Sequence, residues 1–68
     1  MTIGRITQIN VRPRGGEYRL EVRRNTAYGP LTITKVGRNV QATLRDIEAD
    51  HVKVVEERAR REAQATLD

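Results

Sequence analysis

Sixty-eight residues allow a single domain, and a domain of that size buries only about 60% of the surface its unfolded chain exposes. Cysteine, serine, phenylalanine and tryptophan are absent, which excludes disulfide staples, thiolate metal cages and the commonest nucleophiles, and leaves Ile, Val, Leu and Ala to build the core. The net charge of +4 is unevenly placed: residues 1–38 hold eight cations against two acids, a net +6, whereas residues 39–68 hold five cations against seven acids, a net −2. Such an asymmetry points to an anionic partner.

No apolar run approaches the roughly 18 residues of a membrane-spanning helix, and Met1 to Asn10 hold no apolar signal core, so a cytoplasmic protein without a membrane partner is expected. A core this small is commonly supported by self-association, which makes a homodimer the expected state.

In chain order, "ITQINV" sets Ile9 and Val11 against Gln8, Asn10 and Arg12 on the opposite face. Ile3 and Ile6 break that alternation, so a bulge or strand end is expected near Thr7. "PRGGE" carries the paired glycines of a tight hairpin. "EYRLEVRR" alternates cleanly, with Tyr18, Leu20 and Val22 inward and Arg19, Glu21 and Arg23 outward. "NTAYGP" is turn chemistry, and "LTITKV" is a third strand with Leu31 and Ile33 on one face, Thr32 and Thr34 on the other. Lys35 and Val36 fall out of phase, as at a strand end.

After Gly37 the period changes. Asn39 is a candidate N-cap, and Val40, Leu44, Ile47, His51, Val54 and Val55 recur at three- and four-residue steps. Beyond Val55 the stripe thins to Ala59, Ala63 and Leu67, so the last turns should overhang the sheet. The reading is one α+β domain over residues 1–68: a three-stranded antiparallel sheet (β-β-β-α) over about 3–36, with one long C-terminal helix over about 39–65 packed on one face.

Enzymatic chemistry finds little purchase here. His51 lies within the apolar stripe as a packing histidine, and the sharper alternative is a pH-sensitive interface or a metal ligand. A metal would want further ligands, and Glu48 and Asp50 are expected on other faces of the helix. Asp46 and Asp50, one turn apart, read as a solvated acidic edge, and Gly15-Gly16 lacks the following helix of a phosphate loop. No enzyme activity, cofactor, metal or small-molecule substrate is expected.

With the helix on the inner face, the outer face presents Gln8, Asn10, Arg12, Arg19, Glu21, Arg23, Thr32 and Thr34, with Arg14 at the hairpin tip and Arg5, Arg24 and Lys35 at the rim. Arginine pairs with guanine, asparagine or glutamine with adenine, and threonine with a methyl group, while rim cations meet phosphates. The expected nucleic-acid contacts are therefore Gln8, Asn10, Arg12, Arg14, Arg19, Arg23, Arg24 and Lys35.

The β-β-β-α order over residues 3 to about 55, and the stretch "GEYRLEVRR", resemble the arm-binding domains of tyrosine-family integrases and the AP2-type DNA-binding domain. That resemblance implies a sheet laid in the major groove of DNA, with Arg12, Arg14, Arg19 and Arg23 as base and phosphate contacts. The chain departs from the pattern where "NTAYGP" replaces the usual aromatic and glycine signatures after strand two, and in its longer helix. The hairpin "VRPRGGEYRLEVRR" also resembles, in layout, those of small phage-encoded inhibitors such as anti-CRISPR proteins. That implies an alternative: a regulator from a phage or mobile element that binds and inhibits a host protein, with Tyr28 and His51 as interface anchors. A third class is a small structural subunit whose surplus helix packs into a larger assembly.

Overall fold

In the computed structural model, which describes residues 3–67 save the side chains of 66 and 67, three strands precede one helix: β1 (Arg5–Arg14), β2 (Glu17–Thr26), β3 (Gly29–Gly37) and α1 (Val40–Leu67). The strands form one antiparallel sheet in the order β1-β2-β3. The fold is thus the α+β architecture expected from the periodicity.

Gly15 and Gly16 make the first hairpin, with φ of 50° and 85°; a two-residue turn whose backbone matches the twist of its strands needs positive φ at both places. In the second hairpin Thr26 does the local bonding: its hydroxyl donates to the Gly29 carbonyl at 2.7 Å and accepts from the Tyr28 amide at 3.1 Å. The register of β1 against β2 slips between Ile6 and Gln8, so the bulge falls at Thr7, where the broken alternation placed it.

Asn39 caps α1, its Oδ1 accepting from the Ala42 amide at 3.0 Å. Val40, Leu44, Ile47, His51 and Val55 face the sheet, where Leu20, Val22, Ile47 and Val55 form the buried apolar set. Val54 does not belong to that stripe. It is 44% exposed, because a helix of 3.6 residues per turn can point only one of two consecutive side chains straight at the sheet. Leu67, counted with the thinning stripe, has its side chain outside the described residues.

The helix packs on β3 and β2 and does not reach β1. Twenty-eight residues make it about 42 Å long, against about 30 Å for the nine residues of β3, so its last turns run past the sheet. Polar pairs sustain that overhang, among them Glu57–Arg61 at 2.7 Å and Arg58–Glu62 at 3.8 Å. No helix among the described residues is long and apolar enough to cross a membrane.

Candidate nucleic-acid interface

The face of the sheet turned away from α1 is built from cross-strand pairs. Arg12 stands opposite Arg19, Asn10 opposite Glu21, and Gln8 opposite Arg23; on the other side of β2, Glu21 meets Thr34 and Arg23 meets Thr32. Arg14 lies opposite Glu17 at the hairpin end. Six of the eight expected contact residues, Gln8, Asn10, Arg12, Arg14, Arg19 and Arg23, therefore share one face. Arg5 joins them opposite Asn25, because the extra residue at Thr7 restores its parity with Gln8. Counting through the bulge would have found it.

Two features of this face matter electrostatically. Arg12 and Arg19 are like charges directly opposite each other, an arrangement that destabilises a sheet unless something anionic offsets it. In addition, the side chains of Arg5, Arg12, Arg14, Arg19, Arg23 and Glu21 make no hydrogen bond or ion pair among the described residues. Glu21 sits between Arg19 and Arg23 along β2, yet bonds neither. Asn10, Arg12, Arg19 and Glu21 line a shallow depression of about 230 Å³.

The other two expected contacts lie elsewhere. Arg24 is not at the rim: it projects inward at an alternation slot shared with Leu20 and Val22, and is 5% exposed. Each of its three guanidinium nitrogens is engaged. Nε donates to His51 Nδ1 at 3.1 Å, one terminal nitrogen donates to the Gly4 carbonyl at 2.6 Å, and the other forms an ion pair with Glu48. Lys35 also faces the helix side, where its ammonium meets Asp50 at 2.7 Å. That hydrogen bond raises the lysine pKa above its ordinary value and lowers that of Asp50. Both cations are neutralised by α1 and withdrawn from the outer face.

His51 is completely buried and offers no surface to a partner, so the sequence expectation of an interface anchor does not hold. Because Arg24 Nε can only donate, His51 Nδ1 must accept, which fixes the neutral ring with its proton on Nε2. Nε2 is buried without a hydrogen-bond partner. Burial first, and the Arg24 charge second, push the His51 pKa down, against the smaller pull of Glu48 and Asp50. Glu48 does not point away from His51 as expected, since both converge on Arg24. Tyr28 is 43% exposed on the second hairpin, beside a small groove lined by Pro30, Leu31, Val54 and Arg58.

No family model matches the chain, and neither a curated protein nor a solved structure matches it.

Proposed function

We propose that this chain is a small non-enzymatic protein that binds duplex DNA through the outer face of its sheet. One observation carries the reading: the arginines of that face have no intramolecular partner among the described residues, whereas Arg24 and Lys35 on the inner face are tied to α1. Unpaired guanidiniums held in register on a rigid sheet suit phosphates and guanine edges. Three strands span about 10 Å between their outer axes, which fits a major groove about 12 Å wide. Arg5 and Arg14, at the two ends of β1, are placed for phosphates at the groove walls.

The face favours a duplex over a single strand. Single-strand binders stack bases on aromatic rings, and this face has none: Tyr18 is on the helix side of the sheet and Tyr28 in the hairpin.

The test is fluorescence anisotropy with a labelled duplex of about 20 base pairs, from about 50 to 300 mM salt. Micromolar or tighter binding is expected, with a salt slope that flattens in the Arg5→Ala/Arg14→Ala variant. Absence of binding at the lowest salt overturns the reading, because nonspecific attraction alone should register there.

A second reading, docking onto a protein, is favoured by the uncovered part of the inner face. There α1 leaves Ile9, Val11 and Tyr18 at 47%, 43% and 37% exposure. An apolar shelf of this kind suits a protein surface, either a host protein or a second copy of this chain, better than a phosphate backbone. Sedimentation equilibrium separates these: a dimer that Val11→Glu converts to monomer assigns the shelf to self-association.

A further inference from the structure

The outer face holds one residue that a plain phosphate-binding surface would not. Glu21 is half-buried at the centre of the sheet, opposite Asn10, between Arg19 and Arg23, and among the described residues it bonds none of them. A carboxylate there repels phosphate from the middle of the face and leaves the rim to the backbone. An acceptor beside a forked donor also has a specific complement. In the major groove a G·C pair shows the O6 and N7 acceptors of guanine next to the N4 amino donor of cytosine. An A·T pair shows no such order: its amino donor lies between two acceptors, and a thymine methyl follows.

We propose that Glu21 is the specificity-determining residue of this face: it accepts from a cytosine amino group while Arg19 or Arg12, lining the same depression, donates to the paired guanine. The inference rests on the duplex-DNA reading above. It assigns Glu21 to choosing the base pair, and the rim arginines to affinity.

The experiment compares two labelled duplexes of equal length, one of G·C pairs only and one of A·T pairs only, at low salt. Wild type, Glu21→Gln and Glu21→Ala are measured on both. Wild type is expected to favour the G·C duplex about tenfold. Glu21→Ala, which removes the acceptor, should lose most of that preference by binding the G·C duplex less tightly relative to the A·T duplex, while Glu21→Gln, whose amide oxygen still accepts, should keep part of it. Relief of phosphate repulsion should tighten both variants on both duplexes alike. Equal wild-type affinity for the two duplexes overturns the proposal while leaving DNA binding intact. So does a preference that survives undiminished in Glu21→Ala, or a loss of affinity equal on both duplexes, which would make Glu21 a support for its neighbours. Wild type binding neither duplex overturns the underlying reading as well.

Discussion

Arg23 and Arg24 are adjacent in sequence and lie on opposite faces of the sheet, because a strand turns successive side chains to opposite sides. Arg23→Ala should weaken duplex binding and leave the urea midpoint unchanged. Arg24→Met removes the donor to His51, the Gly4 carbonyl and Glu48 together, leaving the buried His51 Nδ1 unpaired; it should destabilise the fold by about 2 kcal/mol. A urea titration beside the anisotropy assay checks both. His51 adds a pH dependence. Its folded pKa is pushed below the ordinary value of 6.5, so as pH falls through that value the unfolded chain takes up a proton that the folded chain refuses. Stability is therefore full above about pH 6.5 and declines below it, until the folded pKa is reached. His51→Asn keeps an acceptor near the Nδ1 position without titrating. Thermal melts of that variant between about pH 7 and pH 5 should fall less steeply than those of wild type.

The elements themselves follow from local chemistry. Asn39→Ala removes the side-chain acceptor for the Ala42 amide and should cost about 1 kcal/mol, read as a lower urea midpoint with an unchanged slope. Period-two patterning, the glycine pair at 15–16, the bulge at Thr7 and this cap were all legible in the sequence, because each is decided by residues within a few positions of one another. So was most of the outer face, which is the polar set of the same alternation. What was not legible depends on partners distant in sequence. Arg24 occupies an inward slot by simple counting, but a charge there reads as a strand end until the helix supplies Glu48 and His51, the latter 27 residues on. Lys35 looked out of phase for the same reason, Asp50 being its complement. The failure of α1 to reach β1 was equally hidden, since no local pattern states where a helix lies across three strands.

For the molecule as a whole, the charge asymmetry of the chain becomes an asymmetry of faces. The sheet carries the excess of arginine, while α1 brings the acids and spends Glu48 and Asp50 on the inward cations Arg24 and Lys35. A field of this form orients the molecule as it approaches a polyanion, sheet first. Arg5 and Arg14 are nine residues apart on β1, about 30 Å in an extended strand, so they would meet phosphates far enough apart to act independently. Each phosphate neutralised on a duplex contributes about −0.9 to the slope of log affinity against log salt. Arg5→Ala and Arg14→Ala should therefore each make that slope shallower by about 1, add in the double variant, and weaken every duplex alike regardless of sequence. A slope unchanged in both single variants would place the phosphates elsewhere on the face. A loss confined to G·C duplexes would place Arg5 or Arg14 at base edges instead of at the groove wall.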